Sequence, residues 1–144
     1  MIERALVMCS GRGDLIAPII SFDIDESVGE IPVLMNKLTQ VFVNIINNSY
    51  DEFEQKKLAQ PSLSFTVTQN ETMQIIRIQD NAGGAPSEIL QEVFNPYQSS
   101  KGLNGTGLGL YLVQVVVEEQ HHGKVFASNQ GDGLMIEIQL PCEA

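Results

Sequence analysis

Two alternating runs, separated by three polar residues, restrict this chain more than any other feature. In "SLSFTVT", residues 62–68, Leu63, Phe65 and Val67 fall on one side of an extended strand. The residues "QNE" at 69–71 can turn the chain into a second strand over 72–80, where Ile76, Ile78 and Asp80 share one parity. Strands of this kind make a sheet with one apolar face, and that face must be covered. The sequence supplies the cover. Helical patterns occupy 2–9, 36–56, roughly 87–93 and 107–121, and further strands read over 19–25, 124–129 and 134–140. The punctuation is as expected: "SGRGD" turns the chain after the first helix, Asn36 caps the second, and Gly123 ends the last at a left-handed position. The prediction is an α/β fold, a two-layer α/β sandwich. Its mixed, mostly antiparallel sheet carries helices packed on one face and a hairpin at each end.

A chain of 144 residues, 43% of them apolar, is long enough for one domain with a proper core. No run approaches the roughly 18 apolar residues of a membrane span. Cys9 and Cys142 sit at opposite ends without metal-ligand spacing, which reads as thiols in a reducing compartment. Acidic residues number 18 against 8 basic ones, for a net charge of −10. That balance argues against nucleic acid, whose binding needs basic surface. It does not exclude a nucleotide, which a divalent ion, backbone N–H groups and one or two lysines can hold.

Four stretches carry chemistry. On the helix at 36–56, Leu38, Phe42, Ile45 and Phe53 form a core stripe flanked by Ile46. Lys37, Gln40, Asn44, Asn48 and Asp51 form a second, polar stripe, so Asn44 and Asn48 look the same way one turn apart. A solvated face is the plain explanation, yet asparagine is a mediocre helix former and "NIINNS" holds three. Amide oxygens are also hard neutral ligands suited to Mg²⁺ beside a phosphate. The second stretch is "DNAGG", where Asp80 emerges on the face that Ile76 and Ile78 bury. A carboxylate there must be paired or functional. With Gly83 and Gly84 beyond it, an adenine amine could donate to Asp80 while the ring lies on the glycines. A simple Asp-Asn turn would look alike. The third, "FNPYQSSKG" at 94–102, offers Phe94 and Tyr97 as anchors and Ser99, Ser100 and Lys101 as phosphate donors, or is only a surface loop. The fourth, "NGTGLGL", sets Gly105, Gly107 and Gly109 at the mouth of a helix. Glycines there are either a tight packing turn or a phosphate cradle at a helix N-terminus. The helix that follows is apolar nearly all round except for a seam of Tyr111, Gln114, Glu118 and His121, which should hold its first turn rigidly against the core.

An Asn-x-x-x-Asn helix, then "DNAGG" after a hairpin, then "FNPYQSSK", then "GTGLGL" resembles the ATP-binding catalytic domain of sensor histidine kinases. The same superfamily includes DNA gyrase, mismatch-repair and heat-shock chaperone ATPases, and its sandwich is the Bergerat fold. The resemblance runs from about residue 19 to 141. It implies that Asn44 and Asn48 form the N box, with Asn48 the Mg²⁺ ligand, and that Asp80, Gly83 and Gly84 read adenine. Phe94 to Lys101 would open an ATP lid spanning about 95–104, and Gly105, Thr106, Gly107, Leu108 and Gly109 would meet the phosphates. Asn44 and Lys101 are the implied catalytic residues. Three positions depart from the family pattern: Asp51 stands where a lysine is frequent, Ala82 where a glycine is, and Gln98 where an aromatic is. With Asp51 in that place, Lys101 becomes the main cation for the phosphates.

Hydrolysing relatives resemble one another in a glutamate at the position of Asn44, and an amide cannot activate water. The implied function is therefore to bind Mg²⁺·ATP and donate its γ-phosphoryl group to a histidine on a separate helical dimerisation domain, with a response regulator downstream. Residues 1–144 would be the catalytic domain alone, cytoplasmic, making no direct membrane contact although the parent protein could be membrane-anchored. His121 and His122 read as helix-end capping and exposed residues rather than phosphoacceptors. An anti-sigma-factor-type serine kinase, a nucleotide-sensing module and a hydrolysing ATPase are the alternatives.

Overall fold

The structure, a computed structural model, describes residues 1–95 and 109–143. Two short helices, α1 (Ile2–Met8) and α2 (Ser10–Ile16), precede strand β1 (Ile19–Ile24) and the long helix α3 (Met35–Lys56). Strands β2 (Ser62–Gln69) and β3 (Met73–Asp80) follow, then one turn of helix, α4 (Ser87–Leu90). Helix α5 (Gly109–Gln114) continues as a π-helix (Val115–Gln120), and β4 (Lys124–Gln130) and β5 (Gly133–Pro141) close the chain. The strands form one sheet in the order β1-β2-β3-β5-β4, with β1 parallel to β2 and every other pair antiparallel.

Register makes the expected alternation physical. Phe65 lies opposite Ile78, Ile78 opposite Ile136 and Ile136 opposite Ala127, so one row crosses the sheet on its inner face. Leu63, Phe65, Val67, Ile76, Ile78, Ile138 and Leu140 are buried under the helices, while Ser64, Thr66, Arg77 and Glu137 face outward. Helix α3 packs along α1 and α2 on one flank and along α5 on the other. For that reason Val43 and Tyr50 are buried as well as the stripe of Leu38, Phe42, Ile45, Ile46 and Phe53.

Five expectations need correcting. The hairpin β4–β5 does end the sheet, but β1 lies outside β2, so the opposite edge is a parallel strand. A parallel neighbour requires a crossover, and α3 is that crossover. The stretch "SGRGD" belongs to helix α2 rather than a turn, because packing onto α3 outweighs the poor propensity of its glycines. Helix α3 starts one residue before Asn36, with Leu34 at its N-cap and no side-chain cap. The left-handed residue after the last helix is His122 (φ +58°), not Gly123. Gly123 is needed for close approach: a Cβ there would sit 2.1 Å from the Gln139 carbonyl oxygen of β5. Finally, the last helix is not enclosed all round. Val113 and Val117 are buried, but Leu112 is 45% exposed and Gly109 and Leu110 are only half-buried.

Candidate functional site

The inner-face row of β3 ends on Asp80, which is only 6% exposed. Its carboxylate is satisfied from three elements. Ser49 Oγ of α3 donates to Oδ2 at 3.1 Å, and the N–H groups of Ala82 and Leu134 donate to Oδ1 at 3.0 and 3.1 Å. A buried charge needs such donors, and these join α3, the loop after β3 and the start of β5 at one group. Close packing confirms the junction: a Cβ at Gly133 would lie 1.8 Å from the Asp80 carbonyl oxygen. Ser49 escaped the sequence reading. The signal was there, since a serine four residues after Ile45 sits within the apolar stripe of α3.

Beyond Asp80 the chain runs through left-handed conformations at Gly83 (φ +89°) and Gly84 (φ +71°). At Gly84 a side chain is excluded twice over, because its Cβ would lie 2.4 Å from Asn129 Oδ1. Asn129 holds the loop from β4, accepting from Ala85 N–H at 2.9 Å and donating to the Ala85 carbonyl at 2.8 Å. Lys56, at the end of α3, donates to the Ala82 carbonyl, and Gly83 N–H donates to the Asp132 carbonyl. Ala82 itself is buried. The loop is thus pinned from α3 and from the β4–β5 hairpin, with its backbone fixed before any ligand arrives.

Asn44 and Asn48 lie half-buried on α3, as the stripe predicts. Asn44 reaches the glycine-rich end of the last helix: its Nδ2 donates to the Gly109 carbonyl at 3.2 Å, while its Oδ1 accepts from Gln40 at 2.8 Å. Asn48 makes no side-chain hydrogen bond among the described residues, which leaves an amide oxygen at the site for a hard cation. Among the described residues no three His, Cys, Asp or Glu side chains gather into a metal-sized cluster. A single amide oxygen suits a hard divalent ion that brings its other oxygen ligands with it. Gly109 has nothing within 4 Å of an added Cβ among the described residues. Tyr97, Ser99, Ser100, Lys101, Gly105, Thr106, Gly107 and Leu108 lie outside the described residues.

Asp51 is engaged from the neighbouring helix. Arg12 of α2 pairs with Asp51 at 2.6 Å and with Glu54 at 3.2 Å, donates to Asn47 Oδ1 at 3.2 Å, and lies 5.9 Å from the centre of the Tyr50 ring. Burial works against the guanidinium, but the hydrogen bonds and charges of Asp51 and Glu54 outweigh it and raise its pKa above the usual arginine value. No local motif announces Arg12, which stands 39 residues from Asp51. His121 is likewise more than an exposed helix end. Its Nε2 accepts from the N–H of Leu34 at 2.9 Å, and its Nδ1 lies 2.8 Å from the Val116 carbonyl. One tautomer satisfies both contacts, with the proton on Nδ1.

Residues 35–144 match the family described as histidine kinase-, DNA gyrase B- and HSP90-like ATPases. A sensor protein kinase WalK of Staphylococcus haemolyticus is 35% identical over 118 residues, covering 75% of this chain. The match takes up 18% of that relative's length. The catalytic domain of histidine kinase ThkA, in a nucleotide-free form, superposes with a TM-score of 0.83 at 19% identity, covering 99% of this chain and 92% of that one. A longer form of ThkA, solved in complex with the response regulator protein TrrA, gives a TM-score of 0.77 at 19% identity, covering 98% of this chain and 39% of that one. With the family match spanning residues 35–144, the chain belongs to the histidine kinase-, DNA gyrase B- and HSP90-like ATPase family.

Proposed function

We propose that this chain binds Mg²⁺·ATP between α3, the loop after β3 and the head of the last helix, and donates the γ-phosphoryl group to a histidine on a separate helical dimerisation domain. A response regulator would receive the group next, in two-component signalling. The observation that carries the reading is Asn44. It stands at the head of the last helix with both ends of its amide engaged, and an amide has no basicity with which to activate water. An acceptor imidazole needs no such base, because its ring nitrogen brings its own lone pair. The task left to this chain is to hold and orient the nucleotide.

In this reading Asp80 accepts from the adenine amine, and the backbone at Gly83 and Gly84 lies against the ring. Asn48 is the residue that would hold Mg²⁺, whose chemistry is to neutralise charge on the phosphates. Lys101, Gly105, Thr106, Gly107, Leu108 and Gly109 are the proposed phosphate contacts, and Lys101 and Asn44 the proposed catalytic residues. His121 is a poor acceptor, since both its nitrogens are engaged. No helix among the described residues is long and apolar enough to cross a membrane, and Cys9 and Cys142 are free thiols. Because ATP is a cytoplasmic metabolite, the reading places this domain in the cytoplasm.

The test is incubation with γ-labelled ATP, with and without a separately made helical domain bearing a histidine. Acid-labile, base-resistant label should appear on the helical domain and not on this chain. Label of that kind on this chain alone, or steady release of phosphate without an acceptor, would overturn the reading.

A further inference from the structure

Asp51 poses an electrostatic problem for a site that must accept a polyanion. It follows Asn48 by three positions on α3, so the two side chains are neighbours, about 5–6 Å apart at their Cβ atoms. A second carboxylate, Glu54, follows on the next turn. The solution lies on α2. Arg12 sits between the two carboxylates, at 2.6 Å from Asp51 and 3.2 Å from Glu54, and is steadied by Asn47 Oδ1 at 3.2 Å and by the Tyr50 ring. The guanidinium side chain is 32% exposed and Asp51 34%, so the pair is partly shielded from solvent and ions.

We propose that Arg12 is a positioning residue for the nucleotide: it draws the Asp51 carboxylate toward α2 and neutralises it, so that the Asn44–Asn48 face of α3 tolerates phosphates. The proposal rests on the nucleotide reading given above. It assigns work to α2, which lies before the region matching the family, and to the one member of the α3 stripe with the wrong charge for a phosphate. Arg12 need not touch the ligand. Its effect is read through Asp51, and the signature is dependence on the ligand's charge. Loss of Arg12 leaves two negative charges beside the phosphates, a repulsion that weakens with salt.

The experiment is calorimetric titration of the 144-residue chain with Mg²⁺·ATP and with adenosine, at low and high salt, for wild type, Arg12→Ala, Asp51→Asn and the double variant. Arg12→Ala should lose about three- to tenfold in ATP affinity at low salt, less at high salt, and keep its affinity for adenosine. Asp51→Asn should bind ATP as tightly as wild type or more tightly. The double variant should return to the level of Asp51→Asn, the coupling expected when Arg12 acts through Asp51. An Arg12→Ala protein that binds ATP normally, or that loses ATP and adenosine equally, overturns the proposal. A double variant as weak as Arg12→Ala does the same. Should Arg12→Ala fail to fold, Asp51→Asn still decides, because weaker ATP binding by that variant contradicts the role. Failure of the nucleotide reading is separable: there wild type itself would not bind ATP, or would bind it without regard to Asp80.

Discussion

The Asp80 carboxylate accepts from Ser49, Ala82 and Leu134 before any ligand is present, so it serves the fold and the proposed adenine contact together. Asp80→Ala would confound the two, because each buried donor left unpaired costs roughly 1–3 kcal/mol. Asp80→Asn separates them. Its remaining oxygen can still accept from Ala82 and Leu134, while its new NH₂ group faces Ser49, whose hydroxyl can turn to accept. We expect this variant to melt within a few degrees of wild type, yet to bind adenosine, ADP and ATP about ten- to a hundredfold more weakly. Equal affinities by calorimetry in the folded variant would remove Asp80 from the binding site. Asn48→Ala should show the opposite pattern. Alanine favours the helix, and among the described residues no hydrogen bond is lost. Stability and adenosine affinity should stay near wild type, while most of the Mg²⁺-dependent gain in ATP affinity disappears. If titrations with metal and with chelator differ as they do in wild type, the asparagines are a solvated face.

Among the elements, the central strands β3 and β5 carry a cross-strand ion pair on the outer face, Arg77 Nε to Glu137 Oε1 at 2.7 Å. Burial alone would raise the Glu137 carboxyl, but the Arg77 guanidinium and the Gln139 amide outweigh it and hold it below the usual glutamate value. A depressed acid stabilises the folded state above its unfolded pKa, and that contribution is lost as pH falls through the folded one. Thermal melts between about pH 7 and pH 3 should therefore show a steeper acid loss for wild type than for Glu137→Gln. Parallel curves would mean that the pair contributes nothing. The strands themselves were legible because period-two patterning is local: the side of the sheet taken by Leu63, Phe65 and Ile78, and the burial of Asp80, follow from parity alone. Asn44 and Asn48 shared a face for the same kind of reason. What stayed hidden depends on partners far along the chain. The glycines of "SGRGD" argue against a helix until α3 is there to pack against, and nothing near Leu34 reveals that its N–H will meet His121, 87 residues later. Beta-strand order was opaque too, since only the crossover through α3 puts β1 at the edge.

For the molecule as a whole, charge and connectivity set the behaviour. A net charge of −10 disfavours the approach of a free nucleotide at long range, and under the proposals above Arg12 and the backbone N–H groups would offset that field locally. The antiparallel packing of α3 against the last helix has a mechanical consequence. Among the described residues two side-chain hydrogen bonds join them besides their core packing, Asn44 to the Gly109 carbonyl at one end and Leu34 to His121 at the other. Under the proposed reading, a nucleotide that claims the Asn44 amide would release the first bond and leave the second. With Val113 and Val117 buried in the core, movement on binding is expected only in the first turn at Gly109, a free edge that lifts while His121 holds the far end. Hydrogen exchange should show this directly: on adding Mg²⁺·ATP, protection changes across residues 109–113 while the Leu34 amide stays protected. In His121→Ala the Leu34 amide should exchange faster and the nucleotide should no longer move one end alone. Loss of Leu34 protection in wild type on binding ATP would mean that the helix shifts bodily and has no pivot.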